Sequence, residues 1–323
     1  MPVGRCPAIG TAANFCTVLG IASAGRASTL LETVNYISGM LSGMCPIVVC
    51  VPRIEDAAGI ADRADVELLI GPHGLTRQRN TILRAVSGKA DLLIFLDDDF
   101  IPMSNFVTRM QDIFLRQPDV VIATGDVIAD GILGKGLSMS EAMEVIGDSE
   151  NRAERVTEVY NAYGCNMAVR LSTVSQHNIL FDEELPLYAW LEDVDFSRSM
   201  ARYGKSVHVG GACGVHLGAR SGRQPGVRLG YSQVANPAYL RKKGTMATSR
   251  AIMQIVRNLI ANIGGFCLGD GSVDRRGRLR GNLIALGDLL QGRASPSRIM
   301  EFATSPTQKF TAASIAENRK EQL

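Results

Sequence analysis

Four short apolar runs alternate with amphipathic helical patterns in the first hundred residues, and this alternation constrains the fold most. The runs are predicted as strands and cover 17–22, 46–51, 66–70 and 92–96. Between them, 28–40 and a stretch that opens at Gly74 carry apolar residues at the i, i+3 and i+4 spacing of a helix with one buried face. Strands that alternate with helices build a parallel sheet covered by helices. The sequence therefore predicts an α/β domain.

The composition changes near residue 220, and we place a domain boundary there. Residues 1–220 hold all strand candidates, including 120–125 and 162–169, and a polar, acidic stretch at 138–158 is predicted as an exposed helix or a loop. Residues 221–323 contain two amphipathic helical stretches, at 251–263 and 279–290. The overall net charge of +2 conceals the change. Residues 1–217 carry 17 basic and 26 acidic side chains, whereas 218–323 carry 17 and 6.

The cysteines and histidines exclude several classes of site. Seven scattered cysteines without a CxxC pair make a disulfide scaffold or a zinc ribbon a poor interpretation and favour a reducing, cytoplasmic compartment. Four histidines without an HExxH motif give no support to a zincin. The small net charge gives no indication of a nucleic-acid partner. The uncharged stretch 6–25 leaves two interpretations open, a signal peptide and a buried first strand, of which the strand is favoured.

Three aspartates, Asp97, Asp98 and Asp99, follow the fourth apolar run directly. Ligands of open α/β sheets bind beyond the carboxyl ends of the strands. Adjacent carboxylates repel one another unless a cation lies between them, and oxygen ligands suit Mg²⁺ or Mn²⁺. A solvated acidic turn before the next helix is the alternative. The position directly after a buried strand favours the metal.

Two arginines, Arg77 and Arg79, lie in the first turn of the helix that opens at Gly74. Cations at this end oppose the helix dipole, so they are explained by a bound anion such as a diphosphate, or by a neighbouring carboxylate. Two solvated arginines are the alternative interpretation.

A second group of carboxylates, Glu192, Asp193 and Asp195, begins another helix, for which Gly204 is a candidate C′ cap. Acidic residues at a helix start are stabilising in themselves. A carboxylate there can also act as a general base toward a hydroxyl. With a metal that neutralises a departing diphosphate, such a base supports a single, inverting displacement at a sugar carbon. The one tryptophan, Trp190, is a candidate to stack on a sugar ring or to lie in the core.

In order along the chain, several short motifs resemble glycosyltransferase family 2. They are Arg79-Asn80, Phe95-Leu-Asp-Asp-Asp99, Gly164-Cys-Asn-Met-Ala-Val-Arg170, Phe181-Asp-Glu183, Glu192-Asp-Val-Asp195, Arg202-Tyr-Gly204 and Val215-His216. The resemblance runs from about residue 17 to residue 216. It implies a GT-A fold, with a Rossmann-like, mostly parallel mixed sheet flanked by helices, here followed by a helical C-terminal extension. It also implies inverting transfer from a nucleotide-diphosphate sugar with Mg²⁺ or Mn²⁺.

The resemblance assigns roles by position. Asp97 and Asp99 match the DxD motif, with Asp99 as the direct metal ligand and Asp98 near the ribose. Asp193 matches the catalytic base, with Glu192 beside it, and Arg79 matches an arginine of the nucleotide pocket. The last histidine of the pattern, which approaches the metal or the diphosphate, corresponds to His216.

The chain departs from the family pattern in two nucleotide-binding segments. After the first strand, only Ser23 and Arg26 can be carried over to the donor pocket. After the second strand, Asp56 is the remaining candidate for contact with the nucleobase of the donor. A Gln-x-x-Arg-Trp motif is absent from the sequence, which favours addition of one sugar over processive synthesis.

These observations predict a transferase that acts on a saccharide or lipid-linked saccharide acceptor in bacterial polysaccharide or cell-envelope synthesis. A sugar nucleotidyltransferase is disfavoured because a Gly-rich phosphate loop with a lysine is missing near the N-terminus. A non-catalytic nucleotide-sugar binder is disfavoured because the metal acids and the base are present. For the basic C-terminal region, packing on the catalytic domain, peripheral contact with the inner face of the membrane, and oligomerisation all stay open.

Overall fold

The computed structural model describes residues 15–41, 45–149, 155–219, 225–271 and 273–302. Two compact units make up the chain. The first is Met1–Arg223 together with Lys242–Ala247, and the second is Gln224–Arg241 together with Thr248–Leu323. The segment Lys242–Ala247, which the sequence places in the C-terminal region, is therefore counted with the first unit.

The described part of the first unit contains nine strands and six α-helices. In chain order they are β1 (Thr17–Ala22), α1 (Ala27–Leu41), β2 (Ile47–Val51), β3 (Val66–Ile70), α2 (Leu75–Val86), β4 (Leu92–Asp97), β5 (Phe100–Pro102), α3 (Phe106–Arg116), β6 (Val120–Asp130), α4 (Met139–Gly147), β7 (Arg155–Glu158), β8 (Asn166–Arg170), α5 (Leu171–His177), α6 (Glu192–Met200) and β9 (Lys205–His216).

The strands form one mixed sheet in the order β3-β2-β1-β4-β8-β6-β9-β5, and β7 pairs with β9. The first four strands are parallel to one another. Strand β8 then runs antiparallel to both of its neighbours, whereas β6 and β9 are parallel. The predicted α/β fold with a mixed sheet is confirmed, and its parallel half is the part that the apolar runs indicated.

Alternating side chains of the strands pack against helices on the two faces of the sheet. In β4, Leu92, Ile94 and Leu96 face the layer that contains α1 and α3. Leu93 and Phe95 face the layer that contains α2, α5 and α6. This period of two explains why buried strands are continuous apolar runs, since both faces are covered.

The elements predicted in the first hundred residues lie within about one residue of the observed ones, whereas β6 runs five residues beyond the predicted 120–125 and β8 begins four residues after the start of the predicted 162–169. Two further predictions need comment. The stretch 17–22, for which a signal peptide stayed open, is β1 in the interior of the sheet. Gly204 is not the C′ cap of α6, so that prediction is wrong; α6 ends at Met200, and Ala201 follows with helical geometry. Gly204 is needed for a different reason, because a Cβ there would lie 2.4 Å from the carbonyl oxygen of Asp119.

The described part of the second unit is helical, as expected, with helices α7 (Gly226–Lys243), α8 (Thr248–Cys267) and α9 (Arg275–Leu290). The last two residues of α7 are counted with the first unit. The interior of the second unit is unusually polar. Asn262 donates to Gln233 (2.7 Å) and to Asn282 (2.9 Å), and the Tyr231 hydroxyl donates to Asp288 at 2.9 Å. Among the helices described, none has the length and hydropathy needed to span a bilayer.

Candidate active site

The candidate site lies in the first unit, where the carboxyl ends of β1 and β4 meet. Ala22 and Asp97 are register partners, so Ser23 and Asp98 leave the sheet side by side. The antiparallel strand β8 begins at the same edge, and the backbone N–H of Asp97 donates to Cys165 O at 3.0 Å. Residues distant in sequence are thereby brought together at the edge where open α/β sheets bind ligands.

Asp98 lies under this edge and is held by residues of the β1–α1 turn. Its carboxylate accepts a hydrogen bond from the Ser23 hydroxyl and pairs with Arg26 at 2.6 Å. Burial raises the pKa of Asp98, and the charge of Asp99 adds to the effect, while Arg26 offsets part of it. Ser23, Arg26 and Asp98 therefore form one buried group at the predicted donor pocket, and their contacts with a nucleotide stay predictions.

Asp97, Asp99 and His216 form the one group of metal-ligating side chains found within the described residues, with donor atoms all within 4.8 Å of one another. Oδ2 of Asp99 accepts from the Ala219 N–H at 2.8 Å. Its Oδ1 is buried, lies 3.3 Å from Nε2 of His216 and accepts no hydrogen bond. A buried carboxylate oxygen without a donor, beside a second carboxylate and an imidazole, fits Mg²⁺ or Mn²⁺, the cofactors expected from the sequence.

The carboxylates around His216 favour its protonated, positively charged form. Burial alone would lower the pKa of His216, but Asp130 and Asp99 raise it to about 10. Burial would likewise raise the pKa of Asp99, yet His216 and Arg26 hold it below its usual range. Nδ1 of His216 lies 3.0 Å from Asp130, whose other oxygen accepts from the Tyr163 hydroxyl at 3.1 Å. The ring is thus oriented by a second carboxylate, as metal-binding histidines usually are.

Arg79 joins the metal group to the start of α6. Its buried guanidinium donates to Asp97 at 3.0 Å, to the Gly164 carbonyl at 2.8 Å and to Glu192. The sequence left open whether a bound anion, a neighbouring carboxylate or solvent explains a cation at the start of α2. For Arg79, the structure shows neighbouring carboxylates. The predicted contact of Arg79 with the nucleotide stays a prediction.

Glu192 and Asp193 begin α6 and differ in environment. Glu192 is buried against Arg79, whereas Asp193 is half-buried and accepts only backbone N–H groups, from Gly164 (3.3 Å) and Val194 (2.8 Å). Burial raises the pKa of both carboxyls, and the charge of Asp193 adds to the effect on Glu192. A Cβ at Gly164 would lie 3.0 Å from a Glu192 carboxylate oxygen, so a side chain there would press on the Glu192 carboxylate. Asp193 is therefore the better placed of the two to accept a proton from a ligand.

The loop before α6 has a strained backbone. Leu187, Ala189 and Leu191 have φ values of 59°, 52° and 74°. Each such residue costs about 1–3 kcal/mol, and this strain clusters at functional sites. Between them lie Tyr188, which is exposed, and Trp190, which is half-buried. Nothing in the sequence indicates this conformation, because left-handed residues are usually Gly or Asn.

The structure also brings in residues that the sequence did not single out. Asp130 and Tyr163 contact the imidazole side of the metal group. Lys243 and Thr245 bond the buried Asp195 on α6, both at 2.6 Å. Their separation in sequence hides these contacts. Asp56, the candidate for contact with the nucleobase, is buried in the 3₁₀ turn Ile54–Ala57 that follows β2, where it accepts from the Gly25 N–H at 3.1 Å and pairs with Arg53.

A family model matches part of the chain. Residues 55–177 match the family model for glycosyl transferase family 2, a range that contains Arg79 and the three aspartates and ends before Glu192. No curated protein matches the chain.

Solved structures show likeness in fold at low identity. The TarS 1–349 structure from S. aureus is 12% identical, with a TM-score of 0.52, over 88% of this chain and 82% of that one. The mannosyltransferase PcManGT from Pyrobaculum calidifontis, in complex with GDP-Man and Mn²⁺, is 11% identical, with a TM-score of 0.49, over 93% of this chain and 79% of that one. Residues 55–177 are thus similar to glycosyl transferase family 2, and the likeness to TarS shows that the chain has a fold of the GT-A type.

Proposed function

We propose that the protein transfers one sugar, with inversion, from a nucleotide-diphosphate sugar to a hydroxyl of a saccharide or lipid-linked saccharide acceptor. The observation that carries the proposal is the double contact of Arg79. Its guanidinium bonds Asp97 of the metal group and Glu192 beside the candidate base. In this proposal one buried cation holds both the group that would bind the metal and diphosphate and the helix start that carries the base for the acceptor.

Asp193 serves as the base in this proposal. Its oxygens accept only two backbone N–H groups, which leaves lone pairs for an acceptor hydroxyl. As the acceptor oxygen forms its bond to the anomeric carbon, the bond from that carbon to the diphosphate oxygen breaks. The hydroxyl proton passes to Asp193, and the electron pair leaves with the nucleoside diphosphate. Attack from the face opposite the leaving group inverts the configuration.

Asp97, Asp99 and His216 would hold the metal ion. A divalent cation at this place neutralises charge that develops on the departing diphosphate. The chain's own residues prepare the site. Asp130 orients the imidazole, and Arg26 compensates the charge of Asp98, so the cluster is fixed before substrate binds.

The pathway and the acceptor belong to the same proposal. A role in bacterial exopolysaccharide or cell-envelope glycan synthesis accords with a basic C-terminal region beside an acidic catalytic part. The cytoplasmic compartment follows from the cysteine usage.

The experiment is a donor panel with purified full-length protein and Mn²⁺ or Mg²⁺, in which nucleoside diphosphate and pyrophosphate are measured separately. We expect release of nucleoside diphosphate, and anomeric NMR of the product reports inversion. Release of pyrophosphate would favour a sugar nucleotidyltransferase instead. Donor binding without any turnover across acceptors would favour a non-catalytic binder.

A further inference from the structure

Helix α8 of the second unit exposes a continuous apolar face. Six side chains spaced three and four residues apart along it are between 45% and 65% exposed: Ile252, Met253, Val256, Ile260, Ile263 and Phe266. We refer to these six as the α8 stripe. Single exposed apolar residues are common on protein surfaces, whereas a contiguous patch indicates an interaction site.

The side of α8 that meets the rest of its unit buries little apolar surface. Ala251 and Asn262 are its only buried residues. Asn262 bonds the side chains of Gln233 and Asn282 inside the unit. A surface helix of a globular protein normally turns its apolar face inward. Helix α8 instead leaves six large apolar side chains exposed along one face, so the stripe is a continuous surface and not a few stray residues.

The charges around the stripe are positive. Helix α8 contains Arg250 and Arg257, both exposed, and no acidic residue. Each acidic side chain of the described second unit bonds a group of the same unit, including the exposed Glu301, which pairs with Arg298 at 3.4 Å. Asp270 pairs with Arg275 and Asp288 pairs with Arg293, each at 2.7 Å, and Asp274 accepts from the Gly277 N–H at the start of α9. Exposed arginines on α9, Arg276 and Arg280, add to the positive surface.

We propose that the α8 stripe lies on an anionic lipid surface, with its arginines against the headgroups. An apolar face flanked by cations matches both parts of such a surface, the acyl boundary and the phosphates. A second copy of the chain is the weaker occupant. Two facing α8 helices would bring four arginines together without a carboxylate on either helix.

This inference does not depend on the sugar-transfer activity, and its test measures binding to lipid. Full-length protein is mixed with phosphatidylcholine vesicles, with and without phosphatidylglycerol, and the bound fraction is measured by flotation. We expect binding to the vesicles that contain phosphatidylglycerol, weakened by added salt. Ile260→Asp combined with Ile263→Asp should lower the partition constant at least about tenfold, because two exposed apolar anchors are lost. Arg257→Glu should reduce the preference for anionic vesicles.

The matched control is Leu115→Asp, which changes a similarly exposed leucine on α3 of the first unit and should bind as the wild type does. Equal binding of the stripe variants and the wild type would overturn the proposal, as would failure of the wild type to bind anionic vesicles. Self-association that the Ile260→Asp change abolishes, measured by light scattering, would assign the stripe to a second copy. A fall in the melting temperature of the stripe variants would show that the stripe is covered within the chain.

Discussion

Arg79 and Glu192 form a buried ion pair that joins the start of α2 to the start of α6. The same guanidinium bonds Asp97 at the end of β4, so one cation fixes three elements at the site. A buried pair of this kind gives little net stability, but loss of one partner leaves an uncompensated charge. The pair is therefore best understood as a device that positions the neighbouring Asp193.

We expect Glu192 to make stability depend on pH. Its pKa is raised from the ordinary value of 4.5 to about 8, chiefly by burial and then by the charge of Asp193. Between these two values the folded state binds more protons than the unfolded state, so the free energy of unfolding should fall as the pH rises through this window. Urea titrations at several pH values measure the slope. Glu192→Gln should flatten it, and an unchanged slope in that variant would contradict the assignment.

Asp193→Asn should lower kcat by about 10²–10⁴-fold and leave donor affinity nearly unchanged, because the amide cannot accept the acceptor's proton. Steady-state rates combined with calorimetric donor titration separate the two effects. Asp112→Asn, an exposed carboxylate on α3, is the control and should behave as the wild type does. Turnover within a few-fold of the wild type would exclude Asp193 as the base.

Asp99→Ala should abolish binding of Mn²⁺ even without substrate, since it removes the buried oxygen that accepts no hydrogen bond. Electron paramagnetic resonance of free Mn²⁺ measures this directly. Asp126→Ala provides a matched control, because Asp126 pairs with His208 at 2.9 Å much as Asp99 pairs with His216, but lies outside the metal group. Equal Mn²⁺ affinity in the two variants would place the metal elsewhere.

The sequence predicted best those elements whose positions depend on local patterns of apolar residues. Strands buried on both faces are continuous apolar runs, so β1, β2 and β4 could be placed almost to the residue. The edge strand β3 is only partly buried and contains Glu67, but its remaining apolar residues still placed it. The stretch 138–158 was left between helix and loop, although Ser138 and Glu141 form a capping box that begins α4. Helix α7 was missed because it contains Pro237 and buries polar residues instead of an apolar stripe.

Site features that depend on long-range contacts could not be predicted. The carboxylates of Asp97–Asp99 and Glu192–Asp193 were found from sequence because each group follows or begins an element. Their partners were not found, since Arg79 reaches Glu192 across 113 positions and His216 reaches Asp130 across 86. The strained loop before α6 likewise contains none of the residues that favour left-handed backbone.

Lys243 should act as a positioning residue for the catalytic helix. Its ammonium bonds Asp182 and the buried Asp195, each at 2.6 Å, and the Thr245 hydroxyl bonds Asp195 as well. Asp195 lies two residues after Asp193 on α6, so the segment Lys242–Ala247 holds the helix that carries the proposed base. Removal of one partner of a buried charged acceptor costs about 1–3 kcal/mol.

We expect Lys243→Met to lower kcat several-fold with little change in the donor KM, because the helix loses its anchor while the metal group stays intact. Lys243→Arg should recover part of the loss, since a guanidinium can reach both carboxylates. The exposed neighbour provides the control, and Lys242→Met should match the wild type in both constants. A lower melting temperature with unaltered kcat in Lys243→Met would make the contact purely structural. A parallel rise in donor KM would instead connect Lys243 to nucleotide binding.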